Sequence, residues 1–343
     1  MTTTRAVFMT GVRQVEVQPL ALAPLASRQV RTRTLFSGIS SGTEMAYYRG
    51  TAPHFTSGWD GETRLFRPDL PPDFAYPAPY GYSNVGRVIE CGDEVRALKP
   101  GDVVFSYFPH QAEAVADEDS FIPLPEGLDP MLGVLLVNTR TTYNAILDAA
   151  IRLGETVVIF GQGVLGQLLA QLARRSGAGQ VVVVDPIPGR RELSLKLGAD
   201  AALDPREGDV ALAVRQMTAR RGADVVIEVS GTHAGLREAI RTVAPRGTVV
   251  GMGFYQGEGA LNLGAEYHHN WVDLRCSQAG SIHPSLSHRW TPRRLTLAAA
   301  GLLPKLALAP LVTHVFEFER APEAYALVDR HAEETMQVVL RYD

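Results

Sequence analysis

The glycines of Gly161-Gln162-Gly163-Val164-Leu165-Gly166 have the spacing that holds a dinucleotide pyrophosphate. They follow the apolar run Val157-Val158-Ile159-Phe160 and precede a helical run, which is the strand-turn-helix context this chemistry needs. Gly161 permits the tight bend, Gly163 lets the pyrophosphate approach the backbone, and Gly166 lets helix and strand pack closely. Val164 and Leu165 open the helix, whose N-terminal N–H groups face the phosphates. About 20 residues on, Val181-Val182-Val183-Val184 ends in Asp185. A carboxylate there accepts hydrogen bonds from both adenosine ribose hydroxyls and repels a 2′-phosphate, so NAD is expected over NADP. Arg190 and Arg191 follow, and an arginine beside this position accommodates a 2′-phosphate. Their alternative is to begin a solvated helix, which is the preferred reading, with Arg190 kept as a cofactor-binding candidate.

Such a turn needs a sheet to present it, and the chain is long enough for two domains. At 343 residues it exceeds one ordinary core. The hydrophobic fraction of 45% and charged fraction of 20% are those of a soluble globular protein. A formal net charge of −4, with no Lys/Arg cluster, excludes nucleic acid as the expected partner. No signal-peptide succession and no bilayer-length apolar stretch is visible, so the expectation is a cytoplasmic protein without a membrane partner. Cys91 and Cys276 give neither a disulfide framework nor a thiolate cage and are expected to be buried thiols.

From Ala6 to about Phe121, short β-type runs punctuated by Gly and Pro predict an irregular β-barrel-like domain. Between Thr51 and Pro79 a Pro-, Gly- and aromatic-rich stretch without period is expected to be a lid. Helical character begins near Leu128. Strands and helices then alternate: Thr156–Phe160, a helix from Val164, Gln180–Asp185, a helix from about Gly189, Ala201–Leu203, a helix near Val210–Ala219, and Asp224–Val229. A helix from His233, Thr248–Met252 and a sixth strand around Val272–Gln278 complete a doubly wound parallel sheet. The Val312–Phe318 strand, Pro322–Arg330 helix and Gln337–Tyr342 strand are expected to return to the first domain.

Several segments in order resemble the medium-chain dehydrogenases/reductases related to alcohol, sorbitol and threonine dehydrogenases. They are Ser37-Gly38-Ile39-Ser40-Ser41-Gly42-Thr43-Glu44, Gly81-Tyr82-Ser83-Asn84-Val85-Gly86, Lys99-Pro100-Gly101-Asp102-Val103-Val104, the glycine turn, Asp224 to Gly231, and Gly247 to Gly253. The likeness covers nearly the whole chain. It implies an α/β protein with a GroES-like (chaperonin-10-like) β-barrel catalytic domain at 1–135 and 305–343 and a Rossmann domain at 136–304, with the active site in the cleft between them. It also implies a homodimer, and places Thr141, Gly231 and Met252 beside the nicotinamide. The Ser37–Glu44 block, with Ser277 to Ser281 and Ser287 to Trp290, resembles a subgroup that includes bacteriochlorophyllide dehydrogenase.

Departures from the family pattern are as informative. Where zinc members carry a ligand Cys, the chain reads Gly38-Ile39-Ser40-Ser41-Gly42; where they carry His-Glu after Gly, Tyr82-Ser83 follows Gly81; the last ligand falls near Val137 or Asn138. The four-cysteine lobe is absent. Hydroxyl, phenol and amide groups are poor zinc ligands, so the expected metal complement is none. A side chain must then act as general acid/base. The catalytic candidates are Tyr82, Tyr47, Tyr48, Glu44 and His54, with Arg49 and Arg140 as cations able to lower a phenol pKa. Each has a bland alternative: Tyr82 fills the volume of a lost ligand, one of Tyr47 and Tyr48 faces away, Glu44 caps a helix, and His54 is solvated. Ser40, Ser41, Thr43 and Asn138 form the substrate-binding candidates. His268, His269, His283 and His288 fit no zinc spacing and are assigned substrate hydrogen bonding or surface roles.

The leading expectation is a zinc-independent, NAD-dependent oxidoreductase acting on a secondary alcohol or its ketone, on a polyol, sugar, cyclitol or hydroxyalkyl side chain. Two others stand beside it: an NADPH-dependent enoyl- or quinone-type C=C reductase, and a dinucleotide-binding protein without catalysis.

Overall fold

The runs Val157–Phe160, Val181–Val184 and Val225–Ile227 lack polar alternation, which suits strands covered on both faces. The computed structural model describes residues 2–343 and divides the chain into two units, Met1–Val137 with Leu308–Asp343, and Asn138–Ala307. In the second unit six parallel strands lie in the order Ala201–Leu203, Gln180–Val184, Thr156–Phe160, Ala223–Glu228, Val243–Gly251 and Asp273–Cys276. All five residues of Thr156–Phe160 are buried. The strand order reverses direction between Thr156–Phe160 and Ala223–Glu228, so the crevice beyond their carboxyl ends is where a ligand binds in such a sheet. Helices Val164–Arg175, Pro188–Lys196, Val210–Met217 and His233–Thr242 connect the strands. This is the expected Rossmann-type sheet.

The first unit is built mainly of antiparallel sheet. Its larger sheet runs Ile122–Pro123, Val103–Ser106, Asn84–Cys91, Gln29–Ile39, Gln337–Arg341, Val312–Glu317, with Glu113–Asp117 also pairing on Gln29–Ile39. A smaller sheet joins Gln14–Ala21, Thr3–Gly11 and Ala78–Pro79. The C-terminal strand is therefore inserted beside Gln29–Ile39, Val338 facing Ile39 and Leu340 facing Ser37. Its core gathers Val7, Met9, Ile39, Met45, Tyr325 and Leu340.

Some details differ from the sequence expectation. The Thr51–Pro79 stretch contains a short hairpin, Gly58–Asp60 with Leu65–Arg67, and Phe55, Phe74 and Tyr76 pack against the core rather than standing as a loose lid. Val243–Gly251 starts five residues before Thr248, because its Arg246-Gly247 corner, with Arg246 at φ +60°, is absorbed as a register shift. Cys91 is half-buried and Cys276 exposed, so neither is a fully buried thiol. Among the described residues no helix is long and apolar enough to cross a membrane.

Candidate active site

The glycine turn shows why three glycines are required. Gly161 sits at φ +90°, and a Cβ there would stand 2.7 Å from the Ser230 nitrogen, on the neighbouring strand end. A Cβ on Gly166 would lie 1.9 Å from the Gly161 carbonyl oxygen, so helix and turn touch backbone to backbone. A Cβ on Gly163 would meet nothing within 4 Å. That open face sits at the N-cap of the Val164–Arg175 helix, which no side chain caps. A helix N-terminus with an open glycine before it is a cradle for a pyrophosphate, so these residues fit a nicotinamide dinucleotide.

Asp185 is buried, and its carboxylate accepts the Gln162 N–H at 2.7 Å and the Ile187 N–H at 2.8 Å. It therefore also fixes the turn, while a carboxylate's remaining lone pairs stay able to accept ribose hydroxyls. Arg190 Nη1 lies 4.0 Å from Asp185, and Arg191 Nη1 donates to the Asp185 carbonyl and pairs with Asp204 at 3.0 Å. Neither arginine is a solvated helix start. The sequence reading missed Gln162, whose fully buried amide donates to the Ile159 and Gly161 carbonyls and accepts from Ser194. On the neighbouring strand end, Glu228 is buried and its carboxyl is pushed up by burial; it accepts from Ser230 and Tyr255. Gly231 is at φ +70° there, and the Met252 N–H donates to the Glu228 carbonyl. Thr141 and Asn138 lie on the Leu136–Ala149 helix of the second unit.

The first unit gathers the remaining candidates unevenly. Burial, aided by the Glu44 charge, pushes the Tyr82 phenol well above the usual phenol range, and the neighbouring Ser40 and Thr43 hydroxyls act in the opposite direction. Ser41, by contrast, is exposed. Tyr47 lies 8% exposed with its hydroxyl 2.9 Å from Nδ1 of His54, and its phenol is also pushed up by burial. Tyr48 does not join them: it is buried against Tyr325, ring centroids 5.4 Å apart, and burial raises its phenol. Its expected catalytic role gives way to a core role.

Glu44 is corrected in the same way. Its carboxylate is fully buried and accepts from the Ser40 N–H at 2.9 Å, the Tyr325 hydroxyl at 2.6 Å, and pairs with His110 Nε2 at 2.9 Å. No oxygen is presented outward for acid/base work, and the side chain does not cap its helix, whose N-cap is Gly42. Instead it anchors the backbone of Ser40. His110, absent from the sequence reading, completes the anchor through Nδ1 to Ser37 Oγ at 2.7 Å, and Ser37 reaches the Tyr342 hydroxyl at 2.9 Å. A Cβ on Gly81, which sits at φ +120°, would stand 2.6 Å from the His110 ring, so the glycine before Tyr82 makes room for the imidazole. Of the two expected cations, Arg49 pairs with Asp329 at 2.6 Å and its charge acts against the rise at the core Tyr48, while Arg140 donates to the Ala279 carbonyl and Thr296.

The donor set at the positions where zinc relatives place ligands does not fit zinc. Ser40 and Tyr82 offer only hydroxyls, and the imidazole of His110 and the carboxylate of Glu44 bond each other in the core. Among the described residues the group of three potential ligands drawn together is His331, Glu333 and Glu334, all exposed. His268, His269, His283 and His288 are exposed and form no such group.

Comparison with known proteins accords with this architecture. The zinc-binding dehydrogenase family profile matches residues 164–288. D-guloside 3-dehydrogenase of Escherichia coli K12 is 32% identical over 326 residues, covering 92% of this chain and 93% of its own. Two solved structures share the fold over nearly all of both chains. A Sinorhizobium meliloti 1021 protein with NADP bound has a TM-score of 0.80 at 20% identity, over 99% of this chain and 100% of its own. Galactitol-1-phosphate dehydrogenase of E. coli has a TM-score of 0.80 at 18% identity, over 98% and 99%. The chain belongs to the medium-chain dehydrogenase/reductase superfamily, and it is an oxidoreductase of the alcohol dehydrogenase-like type.

Proposed function

We propose that the chain interconverts a secondary hydroxyl of a sugar, glycoside or related polyol and the corresponding ketone, with NAD and without zinc. The observation that carries this reading is the Tyr82 phenol, which stands at the position of a lost ligand histidine beside the Ser40 and Thr43 hydroxyls and carries a proton it can donate to a substrate oxygen. Because burial holds the phenol protonated, Tyr82 stabilises the developing alkoxide as a hydrogen-bond donor and does not serve as a resting base. When bound, the dinucleotide supplies the hydride acceptor or donor. Glu44, itself held by His110, holds the Ser40 backbone and so fixes the segment beside Tyr82.

A sugar or glycoside is preferred to a hydroxyalkyl side chain of the bacteriochlorophyllide type because the guloside dehydrogenase relative is similar over almost the full chain. Asp185 supports NAD, since its charge opposes a 2′-phosphate. The NADPH-dependent C=C reductase is retained as the second reading because Arg190, at 4.0 Å, offsets part of that charge. Fluorescence titration is expected to show tighter binding of NADH than of NADPH, and the reverse order would favour this second reading. Assembly is proposed as a homodimer through the outer edge of Asp273–Cys276, which carries no further strand among the described residues.

With methyl D-guloside as probe, Tyr82→Phe is expected to lower kcat about 100-fold, as loss of one donor to a developing oxyanion does elsewhere. NADH affinity, read by the same titration, is expected to stay at the native value. An unchanged kcat would remove Tyr82 from the chemistry.

A further inference from the structure

A dinucleotide lies across the point where the strand order reverses, one nucleotide half on each side. Asp185 follows the strand Gln180–Val184 on one side of Thr156–Phe160, and Glu228 ends the strand Ala223–Glu228 on the other. With adenosine at Asp185 and pyrophosphate at Gly163, the nicotinamide half belongs to the Glu228 side. Two segments leave the strand ends there. Ser230-Gly231 touches the glycine turn, since a Cβ on Gly161 would stand 2.7 Å from the Ser230 nitrogen. Met252 to Tyr255 touches Ser230-Gly231 in turn, since a Cβ on Gly253 would stand 2.4 Å from the Gly231 Cα. Glu228 ties the two segments together. It is fully buried; one carboxylate oxygen accepts the Ser230 N–H at 2.8 Å and the Ser230 hydroxyl, and the other accepts the Tyr255 hydroxyl. The Ser230 hydroxyl also lies 2.9 Å from that of Thr232, which caps the His233–Thr242 helix by accepting the Gly235 N–H at 3.0 Å. The His233 ring packs on Tyr255, centroids 5.7 Å apart.

We propose that Glu228, acting through Tyr255, is a positioning residue for the nicotinamide half of the cofactor: it fixes the Ser230-Gly231 and Met252 to Tyr255 segments relative to each other, and these wall that half. This rests on the dinucleotide reading above. Gly231 and Gly253 let the segments meet backbone to backbone, but such packing is not directional, and the carboxylate supplies the registry. The Met252 N–H, bonded to the Glu228 carbonyl at 3.0 Å, fixes the start of the second segment. Further along, the chain is drawn back over the Ser230 turn by the Tyr255 hydroxyl on Glu228 and by His233 Nε2, 3.3 Å from the Gly257 carbonyl. A Cβ on Gly259 would stand 2.0 Å from the His233 ring, so the chain wraps closely there. Both Glu228 oxygens are occupied inside the fold, so the residue holds the wall and does not itself touch the reacting atoms. Adenosine and pyrophosphate are served by Asp185 and the start of the Val164–Arg175 helix, which the Tyr255 link does not hold. Loss of that link therefore acts on one half of the cofactor.

The full chain is titrated by calorimetry with NADH and with ADP, which carries the adenosine and pyrophosphate but neither the second ribose nor the nicotinamide. Tyr255→Phe, which keeps the ring on His233, is expected to weaken NADH binding about tenfold, the scale of one hydrogen bond to a charged group, and to leave ADP at its native affinity. Glu228→Ala cuts the links to both segments and is expected to weaken NADH binding about 100-fold or more. Glu228→Gln should restore most of that loss, because its carbonyl oxygen can accept from Ser230 while its amide donates to the Tyr255 oxygen. If Glu228→Ala does not fold, Tyr255→Phe reads the same brace. Equal weakening of NADH and ADP in Tyr255→Phe, or native NADH affinity in that variant, overturns the positioning role. A native chain that binds neither NADH nor ADP overturns the dinucleotide reading, and the positioning role with it.

Discussion

Gly166→Ala is expected to abolish measurable NADH binding and to lower the melting temperature of the second unit. The added Cβ would stand 1.9 Å from the Gly161 oxygen and 2.8 Å from its carbonyl carbon, and neither is the end of a flexible side chain. The Val164–Arg175 helix must therefore shift away from the strand it follows. Overpacking of this kind costs about 1–3 kcal/mol, and more where backbone meets backbone. For a unit of this size each kcal/mol lowers the melting temperature by about 2–4 °C. Gly163→Val separates packing from access. Its Cβ meets nothing within 4 Å, so the variant is expected to melt like the native chain while binding NADH at least about tenfold more weakly, because the side chain fills the pyrophosphate's place. Calorimetry and fluorescence titration of both variants read the two effects. Native NADH affinity in Gly163→Val would show that the open face is not the phosphate cradle.

Glu44→Leu is the second large effect, on stability rather than chemistry alone. It removes at once the acceptor of the part-buried Ser40 N–H and of the buried Tyr325 hydroxyl, and the partner of the buried His110 ring. An unsatisfied buried hydrogen-bonding group costs about 1–3 kcal/mol, so losing several together costs several kcal/mol. The first unit is thus expected to melt about 10 °C or more below the native chain, or to fail to fold. Glu44→Gln keeps one carbonyl oxygen and should lie between the two. Thermal unfolding followed by circular dichroism measures this, and a Glu44→Leu variant melting with the native chain would contradict the anchoring role. The effect on turnover follows from the same contacts, since Glu44 holds the Ser40 segment that lies beside Tyr82.

The second unit was legible because its signals are local. Thr156–Phe160, the helix starts at Val164 and His233, and Ala201–Leu203 follow from apolar runs and punctuating glycines, which act within a few residues. Asp185 was found for the same reason. Its double use, holding the Gln162 N–H and standing beside Arg190, was not, because that depends on how a helix folds back over a strand end. The first unit was less legible. Its defining contacts link residues far apart in sequence, as with Tyr325 and Glu44, or Ser37 and Tyr342. His110 carried no periodic signal at all. The one local hint was the adjacent requirement at Gly81, a glycine at positive φ whose missing side chain admits the imidazole. Tyr47 and His54, separate candidates in the sequence, are joined in the fold by the 2.9 Å contact of the Tyr47 hydroxyl with His54 Nδ1.

The most direct measurement of the central claim is NADH formation from methyl D-guloside by the full chain after exhaustive dialysis against a zinc chelator, with metal content determined on the same sample. Hydride transfer that persists at native rates in a sample without stoichiometric zinc is the result expected of a site in which Tyr82 and its hydroxyl partners serve the substrate oxygen. Activity that vanishes with the metal and returns on adding zinc would contradict it.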